Sequence, residues 1–318
     1  LIKRFTRDVA ADWFRASEDS GDFMGIRYGC VSRGSGEVKW HFISHIDCDG
    51  IGGFAKLLRE RGAEIAELPQ TRHPCRGVIG PLWNYWCESR KGIKCAVRAD
   101  WVGSGERSGI PDAAAWHLFT VEETLEMVAR CREAGLTVNS FLLRHLDHAV
   151  RPGIRQPHAR IRWLIPVNLR GDIRHDNDTA NHVSCVETCI APDDSPEDIQ
   201  RDILRRLKRG EHRANHMLFI AGRFLSHEAK LDLLRKERAK RNGNIGSFSN
   251  LGVWDVNMQP GDGWVFCPPV VTGQLLGAGC VTFNGRLGLA VQGCAADSWM
   301  EKWVSLARKG FSQVPQKV

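Results

Sequence analysis

The stretch Val38–Gly53 constrains this chain more than any other. Val38 to Ile43 is aromatic, β-branched and sufficiently alternating to be a strand. His45 to Gly53 then puts one imidazole, two carboxylates and three glycines into nine positions. Phe54 to Arg61 follows with helical apolar spacing. A base, acids and glycines at a strand-to-helix junction make a site held on a rigid frame and open to a ligand. The competing reading is a polar turn with no further role.

Length and composition set the outer bounds. At 318 residues the chain can bury a large core, as one domain or as two lobes. Eleven tryptophans against two tyrosines predict large buried or cleft-lining aromatic surface. The net charge of +7 is compatible with phosphate-bearing ligands or nucleic acid and diagnostic of neither, and no nucleic-acid partner is expected. Eleven cysteines at irregular spacings, with no CxxC pair, read as reduced thiols in a cytoplasm, not as a disulfide framework or a zinc site. No run of eighteen apolar residues is present and the start lacks a signal-type apolar core, so no membrane span is expected.

Along the chain, residues 7–17 suit a short amphipathic helix, and Phe23 to Ser32 reads as a strand. The turn Arg33-Gly34-Ser35-Gly36 makes the strand into His45 one arm of a hairpin. A helix from about Gly52 to Arg61 stops at Gly62. Residues 67–115 carry no clear period, and Gly103–Gly109 is linker-like. The expected organisation is an N-terminal lobe over 1–100, a crossover over 101–115 and a C-terminal lobe over 116–318. In that last part Thr120 and Glu123 form a capping box for a helix ending near Gly135, and Phe141 to Val150 is a second helix. Strands are expected over 160–170 and 181–190. Ser195 and Pro196 open a long basic helix to about Arg213. A helix over 225–240 follows, then strands at 245–252, 264–271, 279–284 and 286–292, with Asn284-Gly285 as a hairpin turn. Asp297 to Lys309 closes as a helix. The fold class is α+β, open sheets with helices on them.

The motif Ser44-His45-Ile46-Asp47-Cys48-Asp49-Gly50 resembles the HHxxxDG motif of the chloramphenicol acetyltransferase-like superfamily, which includes peptide-synthetase condensation domains and wax ester synthases. Leu136–Ser140, Pro166-Val167-Asn168-Leu169-Arg170 and Ser249-Asn250-Leu251-Gly252 are similar, in order, to later segments of those enzymes. Ser44 stands where the first histidine would be, leaving HxxxDG, and the stretch before the motif is shorter than in two-lobed members. The resemblance implies two lobes of open sheets with helices, the N-terminal lobe shortened. It implies an acyltransferase that moves an acyl group from a pantetheine thioester, acyl-CoA or an acyl carrier protein, to a small-molecule hydroxyl or amine. His45 would be the general base, which suits an imidazole near pH 7. Asp49 would turn from the tunnel and pair with Arg170, and Gly50 would let the backbone turn. Ser249 or Asn250 would bind the donor or the developing oxyanion. Neither a metal nor a cofactor is called for, the acyl thioester being a substrate, and the shortened lobe could be completed by a second subunit.

Other readings stand beside this one. His45-Ile46-Asp47-Cys48-Asp49-Gly50 also looks like the HxDxDG start of DHH phosphoesterases, whose aspartates and histidines hold two metal ions. A non-catalytic scaffold of the acyltransferase fold is a third reading. Asp47 reads as a solvent-facing turn residue. The basic run over 201–213 reads as a solvated helix face, with CoA phosphates or an acidic carrier as its alternative partners. His145, Asp147 and His148 share a helix; His145 and His148, three apart, could share a metal, but a third ligand is not evident and no metal site is expected.

Overall fold

The computed structural model describes residues 8–32, 36–71, 77, 79–90, 114–173, 175–239, 243–257, 263–271 and 273–313. The expected crossover over 101–115 lies outside them except for its last two residues. From the N-terminus the chain runs α1 (Val9–Asp19), β1 (Gly25–Val31), β2 (Val38–Ser44), α2 (Gly50–Glu60), α3 (Ile79–Arg90), β3 (Ala114–Leu118), α4 (Val121–Glu133) and α5 (Val138–Val150). It continues with β4 (Ile161–Asn168), β5 (Val183–Ile190), α6 (Pro196–Lys208), α7 (Glu211–Ala221), α8 (His227–Ala239), β6 (Gly246–Trp254), β7 (Gly263–Cys267), β8 (Leu276–Phe283), β9 (Arg286–Gly293) and α9 (Ala296–Gln313).

Two sheets form, in the α+β arrangement expected. The smaller has the order β2-β1-β7, the larger β3-β9-β8-β6-β4-β5. β1 and β2 make the expected hairpin, Gly25 opposite Ser44 and Val31 opposite Val38. The third strand of that sheet is β7, from the far end of the sequence, antiparallel to β1. It therefore ties the motif-bearing hairpin to the larger sheet. Where the two meet, a Cβ on Gly279 of β8 would lie 2.5 Å from the Phe266 carbonyl oxygen of β7, a gap only glycine permits. Asn284 and Gly285 both take positive φ (45° and 78°), the tight two-residue hairpin between β8 and β9.

One core lies between the larger sheet and helices α5 and α9, around Trp163, Phe248 and Trp303. A second surrounds α2. There Phe54, the first large residue after the motif, meets Trp254, Trp264 and Phe283 edge-on at 5.1–6.2 Å. Aromatic edges on faces are favourable beyond area burial, so this cluster fixes the position of α2 and of the loop before it. Trp163, Trp254, Trp264, Trp299 and Trp303 are buried and serve the core, whereas Trp83 and Trp86 are exposed. Among the described residues no helix is long and apolar enough to cross a membrane.

The structure departs from the sequence expectations in five respects. The basic helix does not run to 213: Gly210, at φ 76°, separates α6 from α7. Within the basic run, Arg206 is buried between Asp202 and Glu211, both at 2.8 Å, while Arg201 pairs on the surface with Asp198. Helix α3 falls in the stretch without a readable period. The strand expected over 264–271 ends at Cys267, where Pro268 and Pro269 remove two ladder donors. Cys189 is disulfide-bonded, so the thiols are not reduced throughout.

Candidate active site

The loop between β2 and α2 is built by short-range hydrogen bonds. The His45 backbone N–H donates to Met24 O (2.8 Å), carrying the hairpin one residue beyond β2. Ser44, in the place of a first histidine, accepts from Ile46 N through its hydroxyl (3.2 Å) and so shapes the turn. Asp49 is the N-cap of α2, Oδ1 accepting from Gly52 N at 2.7 Å. The glycines serve close approach and not unusual dihedrals: a Cβ on Gly52 would sit 2.1 Å from Thr179 O, and one on Gly50 would sit 2.9 Å from Leu251 Cδ2. Gly50 does not take positive φ, so its expected role in a sharp turn is replaced by packing.

Arg170 meets Asp49 in a parallel fork, Nη1 to Oδ2 at 2.8 Å and Nη2 to Oδ1 at 2.9 Å. Both residues are 3% exposed. The remaining capacity is filled as burial requires. Arg170 also donates to Asp178 O, Ala180 O and Asn168 Oδ1, and Asp49 Oδ2 accepts from His182 N at 2.9 Å. The pair clamps the 168–182 segment onto the start of α2. Asp49 still contributes to the wall of the cavity described next, although both its carboxylate oxygens are taken.

His45 is half-buried beside a cavity of about 170 Å³. The cavity lies among α1, the β2–α2 loop, β4, β5, β6 and α7, with Phe14, Leu164, Val183, Phe219 and Phe266 supplying apolar wall. The Phe14 ring covers His45 with centroids 4.1 Å apart. His45 Nδ1 lies 3.0 Å from Asn181 Oδ1. Burial lowers the imidazole pKa below its ordinary value, opposed by the Asp49 charge, the carbonyls of His45 and Cys48, and Asn181. Burial thus favours the neutral ring, the form a base needs.

Ser249 and Asn250 reach the same cavity through a break in β6, whose pairing with β8 shifts register between Asn250 and Val253. Asn250 Oδ1 accepts from Gly252 N (2.8 Å), which stabilises the break and leaves the Nδ2 donors uncommitted. Cys185 also lines the cavity, where burial pushes its thiol up to about 12 and so favours the neutral form. Of the residues singled out in the sequence, His45, Asp49, Gly50, Ser249 and Asn250 line one cavity, and Arg170 backs it through Asp49. Asp47 is exposed. Asp147 is fully buried, accepting from Arg151 Nε (2.6 Å) and Trp163 Nε1 (2.9 Å), and His145 meets Phe141 edge-on with centroids 4.4 Å apart; both pack as structural residues. Sequence reasoning missed Phe14, Phe219 and the part played by Asn181. Phe14 showed only as an apolar position of an N-terminal helix.

The sequence matches no family model and no curated protein. Solved structures do match across most of the chain. A monoclinic form of the EpoB NRPS cyclization-docking bidomain from Sorangium cellulosum aligns with TM-score 0.51 and 15% identity over 88% of this chain and 61% of that one. The wax ester synthase/diacylglycerol acyltransferase from Marinobacter aquaeolei aligns at 0.50 and 12% identity, over 87% and 66%. The nonribosomal peptide synthetase FmoA3 aligns at 0.53 and 13%, over 88% and 31%. The chain shares the fold of these condensation-type and acyltransferase structures. The chain spans less than two thirds of each of these three longer proteins, and at such identities the likeness is one of fold.

Proposed function

We propose that this condensation-domain-like chain is an acyltransferase that moves an acyl group from a pantetheine thioester, on CoA or on a carrier protein, to a hydroxyl or amine. The observation that carries the reading is an imidazole, His45, whose neutral form burial favours, on the wall of an apolar cavity, at the position the HxxxDG resemblance gives to the base. His45 takes the proton of the acceptor as its oxygen or nitrogen attacks the thioester carbonyl. The tetrahedral oxyanion then collapses, the C–S bond breaks, and His45 returns the proton to the pantetheine sulfur. Asn250 Nδ2 is the donor assigned to the oxyanion. Asp49 and Arg170 hold the loop and take no part in proton transfer. All of this runs without an ion or cofactor, and no acyl-enzyme is needed.

The phosphoesterase reading requires the motif carboxylates as metal ligands. Asp49 is bound in two places by Arg170 and accepts two backbone N–H groups, so it has no oxygen left for that role. The cytoplasm, with its acyl-CoA and carrier-protein pools, is the compartment this reading assigns. The test is a mass-spectrometric screen of acyl-CoA and acyl-carrier donors against hydroxyl and amine acceptors. Acceptor-dependent release of free thiol, matched by an acylated acceptor, is expected. Intact thioester across every acceptor, with His45→Ala indistinguishable from the wild type, would favour the non-catalytic scaffold.

A further inference from the structure

Asn181 is completely buried and sits just before β5. Its side chain is committed on both sides. Nδ2 donates to Asp8 Oδ2 (2.8 Å) and to Ile46 O (3.3 Å). Both partners are acceptors only, so the amide group is oriented: the nitrogen faces Asp8 and the oxygen faces His45. Asp8 is itself held. Oδ1 accepts from Ala11 N (3.0 Å) as the N-cap of α1, and Oδ2 also accepts from the Asn181 backbone N–H (2.9 Å). An oxygen 3.0 Å from His45 Nδ1 is satisfied only when Nδ1 carries the proton.

We propose that Asn181 is a positioning residue which, locked by Asp8, holds His45 as the Nδ1–H tautomer and leaves Nε2 as the proton-accepting nitrogen. The same contact fixes the ring against rotation, because Nδ1 is tied to Asn181 while Phe14 covers the face. Asp8 joins the two devices: it caps the helix that carries Phe14 and orients the amide that reads Nδ1. The chain Asp8–Asn181–His45 thus performs for this imidazole what a carboxylate does directly in a hydrolase triad, with an amide in between. The amide transmits orientation and no charge. The catalytic consequence rests on His45 being the base; the tautomer does not.

The test reads the tautomer first. Heteronuclear NMR of isotope-labelled imidazole nitrogens in the full chain, with His45 assigned by its loss in His45→Gln, is expected to show a protonated Nδ1 and a bare Nε2. In Asn181→Leu that preference is weakened, the carbonyls of His45 and Cys48 being the acceptors that remain. Asp8→Asn retains an N-cap for α1 but sets a donor against the Asn181 amide, and it is expected to shift the tautomer in the same direction with the helix content unchanged. With an acyl donor found for the wild type, Asn181→Leu should lower kcat about 10²-fold with KM within about twofold. The acid limb of the rate profile should move to lower pH, because the lost acceptor had favoured the protonated ring. An Nε2–H tautomer in the folded wild type, or an unchanged tautomer and kcat in both folded variants, overturns the inference. A tautomer that shifts in the variants of a chain that turns over no thioester supports it and removes the acyltransferase reading instead.

Discussion

Asp49→Asn isolates the charge of the buried pair from its geometry. Asn is as good an N-cap as Asp, so the bond to Gly52 N survives while the charge facing Arg170 is removed. The retained Oδ1 still accepts from Arg170 Nη2, but the new Nδ2 sets a donor against Arg170 Nη1 and His182 N, and the guanidinium is left with neutral acceptors alone, Asn168 Oδ1 and the carbonyls of Asp178 and Ala180 among them, in a site that is 3% exposed. Breaking a buried ion pair by removing one partner costs about 3–5 kcal/mol, most of it from the stranded charge. With ~2.1 cal/mol/K of unfolding entropy per residue, a 318-residue chain has ΔS near 0.7 kcal/mol/K, so Tm should fall by about 4–8 °C. Arg170→Ala should cost a similar amount. The double variant should cost less than the sum by at least ~1 kcal/mol, since neither charge is then left alone. Calorimetry or chemical unfolding of the four proteins closes the cycle. Losses that add to within ~0.5 kcal/mol would refute the argument that the two charges act as one clamp.

Other consequences are smaller or more local. Gly52→Ala drives a methyl toward Thr179 O at 2.1 Å and should destabilise by more than ~1 kcal/mol, whereas alanine at an open helical glycine is stabilising; thermal melts decide it. Asn250→Asp keeps size but loses the Nδ2 donors, and should lower kcat ~10²-fold with little change in KM, read in the thioester assay. Cys185→Ala should leave kcat within about twofold, a larger loss indicating covalent chemistry at the thiol. His182 and His216 are buried and pushed down to about 4 and about 3, mainly by desolvation. Protons then bind the unfolded chain first, so stability is full above about pH 6.5 and falls by a few kcal/mol as pH drops toward 4 and 3. Unfolding midpoints that do not change between pH 7 and pH 4.5 would contradict those assignments.

How much of this was legible depended on whether the cause was local. The β1–β2 hairpin, the stop of α2 at Gly62, the Thr120–Glu123 box and the Asn284-Gly285 turn are decided by residues a few positions apart, and they could be read directly. The Asp49–Arg170 pair spans 121 positions; only the ordered resemblance of motifs suggested it, and no period or spacing could have. The Asp8–Asn181 contact spans 173 positions; Asn181 opened a strand that the resemblance included, but nothing in the sequence tied it to Asp8 or to His45, so the support of His45 stayed invisible. β7 looked like any strand of the last third, because nothing in Gly263–Cys267 says which sheet it joins. Helix α3 carries Trp83 and Trp86 on its exposed side, which erases the polar face that would have marked it.

The central claim is that His45 accepts the proton of the attacking group. Its most direct test is single-turnover release of thiol from an active acyl thioester, comparing wild type with His45→Gln, folding being verified by circular dichroism. Losing a general base costs ~10²–10⁴-fold, so the variant should slow by that factor. The wild-type rate should also fall on acidification with an apparent pKa below the ~6.5 of free imidazole, the direction burial gives His45. A folded His45→Gln protein that releases thiol at the wild-type rate, with the same pH profile, would contradict the account.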